Sequence, residues 1–94
     1  MRINVNEKNN LLKSIHHWDE EAIVYLFGSR VNDHKRGGDI DLAVRSNKIG
    51  LKEKIDIKLK FFEEFGEQKI DLFVFNDESN TFWNVIKENV LLLN

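Results

Sequence analysis

The residues of this chain best suited to chemistry are two aspartates that alternate with apolar residues, Asp39 and Asp41. The intervening Ile40 and the following Leu42 complete the pattern of a strand with one buried face. Side chains two apart on a strand point to the same side, roughly 6.5 Å apart. Carboxylates held this close repel one another unless a cation lies between them. Because Mg²⁺ takes one or two protein carboxylates and fills its other positions with water and substrate phosphate, the pair predicts a site for this ion.

A glycine–serine step, Gly28-Ser29, precedes the aspartates by a polar segment, residues 30–38, and follows the apolar run 23–27. Glycine lets the backbone turn sharply and approach a ligand closely. The residues after it are suited to open a short helix, whose free N–H groups and dipole favour phosphate. We therefore expect the Gly28-Ser29 step to contact phosphate groups. The same step also suits an ordinary tight turn in which Ser29 caps a helix.

A third acid, Asp71, lies within another strand-like apolar run, residues 69–75. Gly-Ser, a spacer, Asp-x-Asp and a later strand aspartate, in this order, resemble the active-site signature of the polymerase-β-like nucleotidyltransferases. At 94 residues the chain is most similar to the minimal nucleotidyltransferases, the small partners of HEPN-domain toxins in prokaryotic toxin–antitoxin pairs. The resemblance covers the core, residues 23–75, and more weakly the last helix.

The resemblance implies a role for each of these residues. Asp39, Asp41 and Asp71 would be catalytic and would hold one or two Mg²⁺ ions. Gly28, Ser29 and Arg30 would bind the phosphates of ATP or another nucleoside triphosphate. The activity would be Mg²⁺-dependent transfer of a nucleotidyl group, AMP from ATP, to a hydroxyl of a HEPN-type toxin, for which the chain would act as the antitoxin.

Two other functions stay open. One is a non-catalytic antitoxin or assembly subunit that masks a partner, with vestigial nucleotide binding. This masking function is favoured by departures from the family pattern between Ser29 and Asp39. Asn32 and Asp33 lie near the place of a common glycine, and Gly37-Gly38 precedes Asp39. The other is a small-molecule transferase, which the shortness of the chain disfavours.

Composition bounds the remaining possibilities. We expect one domain over residues 1–94, without a separate substrate domain, so that a second substrate is recognised by a partner or across an oligomer interface. A hydrophobic share of 41% and a charged share of 32% predict a folded protein. The net charge of −2 argues against direct nucleic-acid binding. The absence of cysteine and of a long apolar run favours a cytoplasmic protein without a membrane span.

Periodicity predicts an α/β fold with a small mixed sheet of three or four strands and helices packed mainly on one face. In the long second helix, Leu51, Ile55, Leu59, Phe62 and Phe65 are expected to form the face toward the core. Residues 90–93 suit a short edge strand, a helix end or an exposed partner-binding patch. The predicted helices span 6–18, 48–65 and 80–88, and the predicted strands span 23–27, 39–44 and 69–75.

Overall fold

The structure, a computed structural model, describes residues 3–28 and 39–94. The predicted helices and strands are all present, with ends displaced by a few residues. Residues 90–93 contribute a short fourth strand, which confirms the edge-strand interpretation. In chain order the elements are α1 (Val5–Trp18), β1 (Ile23–Phe27), β2 (Ile40–Arg45), α2 (Leu51–Phe65), β3 (Ile70–Phe75), α3 (Thr81–Ile86), a 3₁₀ turn (Lys87–Asn89) and β4 (Leu91–Leu92).

The four strands form one mixed sheet in the order β3-β2-β1-β4. Strands β2 and β3 are parallel, whereas β1 is antiparallel to both β2 and β4. The parallel pair is joined through α2, as a crossover connection requires. The beginnings of β2 and β3 therefore lie at the same edge of the sheet as the end of β1. This is the α/β fold with a small mixed sheet that the sequence predicts.

Helices α1 and α2 cover one face of the sheet and bury the main core. Alternate residues of the strands point toward them, because side chains on a strand alternate between its faces. The fully buried residues of this core include Leu11 and Ile15 of α1, Leu26 and Leu42 of the sheet, and Ile57 and Phe61 of α2.

Helix α3 packs on the opposite face, where Trp83 lies against Ala43 and Phe75. The Trp83 ring stacks on that of Phe75 with centroids 4.6 Å apart and contacts Tyr25 at 4.8 Å. Two of the three helices in the described residues thus share one face, as predicted. The other face is only partly covered, and the carboxylates lie on it.

The prediction for the buried face of α2 is wrong at three positions. Leu51, Ile55 and Leu59 are 75%, 51% and 53% exposed, whereas Ile57 and Phe61 are buried. The helix carries apolar residues around most of its circumference, so its period alone does not choose the face. Contacts with α1 fix the rotation: the indole of Trp18 donates to Asp56 at 2.9 Å, and Asn10 donates to the backbone oxygen of Lys60 at 3.3 Å.

The starts of the helices follow from their caps. The side chain of Asn4 accepts from the Glu7 N–H at 2.8 Å, and the Glu7 carboxylate accepts from the Asn4 N–H at 3.0 Å. This reciprocal pair satisfies two free N–H groups and begins α1 at Val5, one residue before the predicted start.

None of the helices in residues 3–28 and 39–94 has the length and apolar character needed to cross a membrane.

Candidate active site

Two of the predicted site residues, Asp41 and Asp71, are direct neighbours across the sheet. They occupy the same register position of the parallel strands β2 and β3. Adjacent strands lie about 4.8 Å apart, so both side chains emerge next to each other. They lie on the face opposite the main core, with Asp41 half-buried and Asp71 exposed. The predicted facing of both residues is therefore correct.

The third aspartate, Asp39, lies just before β2 at the same edge of the sheet. Its carboxylate oxygen is 3.4 Å from the Nζ atom of Lys69, which lies just before β3. The Ile40 N–H donates to the backbone oxygen of Lys69 at 3.1 Å and keeps the two segments together. Both side chains of the ion pair are largely exposed, so the pair adds little to stability. Its role is to place one positive charge beside the carboxylates.

Gly28 closes the site at the end of β1. Its φ of +76° is in the left-handed region that favours glycine. A Cβ atom at this position would collide with the carboxylate of Asp41. The group that the Gly28 backbone approaches in the structure is the carboxylate of Asp41, and its predicted contact with phosphate stays a prediction. Ser29 and Arg30, the other predicted phosphate contacts, lie outside the described residues.

Burial raises the pKa of Asp41 above its ordinary value of 3.8. The negative charges of Asp71 and Asp39 and a side-chain hydrogen bond with Asp71 raise it further, and Lys69 opposes the shift. Burial and the neighbouring carboxylates thus disfavour the ionised form of Asp41, whereas the positive charge of Lys69 favours it. A bound cation would also favour the ionised form, because it attracts both carboxylates.

The donor set fits a magnesium ion. The adjacent oxygens of Asp41 and Asp71 carry excess negative charge, and Mg²⁺ accepts one or two protein carboxylates together with water and phosphate. In residues 3–28 and 39–94, no three His, Cys, Asp or Glu side chains are grouped so as to hold a metal ion. The expected binding of one or two Mg²⁺ ions by Asp39, Asp41 and Asp71 therefore stays a prediction.

Sequence reasoning gave no functional role to the aromatic residues beside the carboxylates. Phe27 is directly opposite Asp41 in the register of β1 and β2, and Phe73 follows Asp71 by two residues on the same face. The alternation of β3 contained the signal for Phe73. Phe82, which lies over both rings, comes from α3 and had no signal in the strand pattern.

Comparison with known proteins bears on this site. Residues 9–94 match the family model described as Polymerase beta, Nucleotidyltransferase. A comparison with curated proteins gives no match. The matched region contains Gly28, all three aspartates and every strand of the sheet. Because the match spans most of its length, the chain belongs to the polymerase-β-like nucleotidyltransferase family.

Proposed function

We propose that this nucleotidyltransferase moves AMP from ATP to a hydroxyl group of a partner protein, with Mg²⁺ held by Asp41 and Asp71 and with Asp39 beside them. Family membership supports the class of reaction. The observation that carries the assignment of the site is the register of Asp41 against Asp71, next to the Gly28 backbone.

The chemistry asks mainly for positioning and charge neutralisation. When bound, Mg²⁺ would offset the charge of the triphosphate and of the attacking and leaving oxygens. The acceptor oxygen attacks the α-phosphorus, the bond from this phosphorus to the bridging oxygen breaks, and pyrophosphate leaves. Asp71 is the more exposed of the two paired carboxylates. In this proposal it accepts the proton of the acceptor hydroxyl.

The proposed acceptor is a tyrosine hydroxyl of a HEPN-type toxin, which the transfer would silence. The resemblance to minimal nucleotidyltransferases motivates this choice. An exposed apolar row on α2, formed by Leu51, Ile55 and Leu59 and called the α2 stripe below, favours a protein partner. Contiguous exposed apolar surface commonly marks a protein–protein contact.

The α2 stripe also favours a second candidate function. In this alternative the chain is an interaction subunit that masks its partner without transferring a nucleotide. The two functions differ in what the carboxylates do, because masking through α2 makes no use of the carboxylates at the start of β2 and β3.

The test uses ATP labelled at the α-phosphate, Mg²⁺ and the product of the neighbouring gene. Wild-type protein should transfer label to the partner, and Asp41→Asn or Asp71→Asn should abolish the transfer. Asp77→Asn is the matched control. Asp77 lies beyond the far end of β3 and accepts from the Ser79 N–H at 2.8 Å, a bond that asparagine keeps.

The outcomes separate the candidates. Transfer that persists at the wild-type rate in Asp41→Asn and Asp71→Asn would contradict the proposed site. A tight complex formed without label transfer by the wild-type protein would support masking. Equal loss of transfer in Asp77→Asn would show that the effect of the substitutions is not specific to the site.

A further inference from the structure

Three phenylalanines form a continuous aromatic surface beside the carboxylates. Phe27 and Phe73 stand on the same face of the sheet as Asp41 and Asp71, and Phe82 of α3 lies over both. The Phe82 ring makes edge contacts with Phe73 and Phe27, with centroids 4.7 Å and 5.8 Å away. We call these three residues the aromatic shelf.

The shelf is held in place from beneath. Trp83, the neighbour of Phe82, is buried between Tyr25 and Phe75. The side chain of Asn80 caps the helix by accepting from the Trp83 N–H at 3.0 Å. The burial of Trp83 and the Asn80 cap therefore hold α3 in place. The Phe82 side chain on the same helix is nevertheless 42% exposed.

The shelf begins beside the carboxylates at Phe27, which is opposite Asp41, and extends along β3 to Phe73. Phe73 follows Asp71 by two residues, a separation of roughly 6.5 Å. Ala43 lies between Tyr25 and Phe73 in the register of the sheet, and its small side chain is fully buried. This small residue leaves room above the sheet for the Trp83 ring, which packs against it. An aromatic surface thus lies about the length of a sugar away from the oxygens proposed to hold the phosphate-bound ion.

We propose that the aromatic shelf stacks the nucleobase of the donor nucleotide. This inference rests on the proposed function, which places the triphosphate at Asp41 and Asp71. Stacking on an aromatic side chain strengthens binding and tolerates all bases, because every base has a π-face. Phenylalanine offers no hydrogen-bonding group, so the shelf recognises the face of the base and not its identity. ATP, GTP and CTP should bind with dissociation constants within roughly tenfold of one another.

The test measures the Kd of Mg²⁺-ATP and of Mg²⁺-tripolyphosphate, which lacks sugar and base, by titration calorimetry. Wild-type protein should bind ATP more tightly than tripolyphosphate. Phe82→Ala should raise the Kd for ATP by roughly tenfold or more and leave that for tripolyphosphate unchanged. Phe82→Leu keeps an apolar side chain on α3 but removes the π-face, and it should act in the same direction. Val85→Ala, at a more exposed position of the same helix (72% against 42% for Phe82), should change neither Kd.

Each other result has a distinct meaning. If Phe82→Ala and Phe82→Leu bind ATP as the wild type does, the shelf proposal is overturned and the proposed function stands. If these variants instead raise only the KM for the partner protein, the shelf serves the acceptor ring, which also overturns the proposal. If the wild type binds neither ATP nor tripolyphosphate, both proposals fail.

Discussion

Asp41 and Asp71 stand directly opposite each other on two parallel strands, where both carboxylates share one face of the sheet. Burial and the neighbouring negative charges raise the pKa of Asp41. Like charges placed directly opposite on a sheet are destabilising. The two carboxylates therefore repel each other in the folded protein, and a bound cation would relieve this repulsion. The pair should thus affect the free energy of unfolding as well as the chemistry.

Replacing Asp41 by asparagine should stabilise the protein at pH 7 in the absence of divalent cations. The change removes one of two negative charges that face each other across the strands, and we expect a gain of about 0.5–1 kcal/mol in the free energy of unfolding. Urea denaturation measures this gain. Mg²⁺ should raise the Tm of the wild type and not that of Asp41→Asn, because a ligand stabilises only the state that binds it. A loss of stability in the variant would show that the carboxylates do not repel each other in the folded protein.

Replacing Gly28 by alanine should damage the site as well as the backbone. The positive φ costs about 1 kcal/mol for a residue with a Cβ atom, and the added Cβ would displace the Asp41 carboxylate. Label transfer should fall at least tenfold. Gly66→Ala is the matched control, since Gly66 also has a positive φ, +86°, but a Cβ there would meet nothing within 4 Å. Its loss should be confined to stability, and equal loss of transfer in both variants would contradict this prediction.

The buried pair Asp19 and Ser46 should make stability depend on pH. The Ser46 hydroxyl donates to Asp19 at 2.6 Å, and this bond is the main cause that holds the pKa of Asp19 below its ordinary 3.8. A lowered folded-state pKa gives stability that is present above the unfolded value and lost as the pH falls through the folded value. Ser46→Ala should therefore cost about 1.5–3 kcal/mol at pH 7 and clearly less at pH 3.

Urea unfolding at both pH values measures the difference between Ser46→Ala and the wild type. Ser14→Ala serves as the control, because Ser14 is also buried and its hydroxyl donates to a neutral group, the Leu11 carbonyl, at 3.2 Å. Its cost should not change with pH. A cost for Ser46→Ala that is the same at pH 7 and pH 3 would mean that the Ser46 hydroxyl does not lower the pKa of Asp19.

The observed rotation of α2 can be tested with two truncations on the same helix. Ile57→Ala should cost about 2–5 kcal/mol, because Ile57 is buried in the core. Leu59→Ala should stay within about 0.5 kcal/mol of the wild type, since its side chain is 53% exposed. Thermal denaturation distinguishes the two. If the α2 stripe contacts a partner, Leu59→Ala should weaken the complex while the free protein keeps its Tm.

The strands were the most predictable part of this protein. The alternation of apolar residues with Asp39, Asp41 and Asp71 fixes which side chains share a face, and the observed β2 and β3 follow it. The helix α2 was found with its end at Phe65, but its face was wrong at Leu51, Ile55 and Leu59. An α-helix with apolar residues on several sides has more than one self-consistent orientation, so the choice depends on what packs beside it.

Local patterns in the sequence predict the order of the elements and the facing of Asp41 and Asp71, because both follow from backbone periodicity. Other relationships appear only once the chain is folded. Asp71 lies opposite Asp41, and the Gly28 backbone approaches the Asp41 carboxylate. Lys69 pairs with Asp39, and Phe82 contacts Phe27 and Phe73. These contacts join segments that are distant in the chain, and their register is set by strand pairing and helix packing. Local sequence patterns do not specify such pairings.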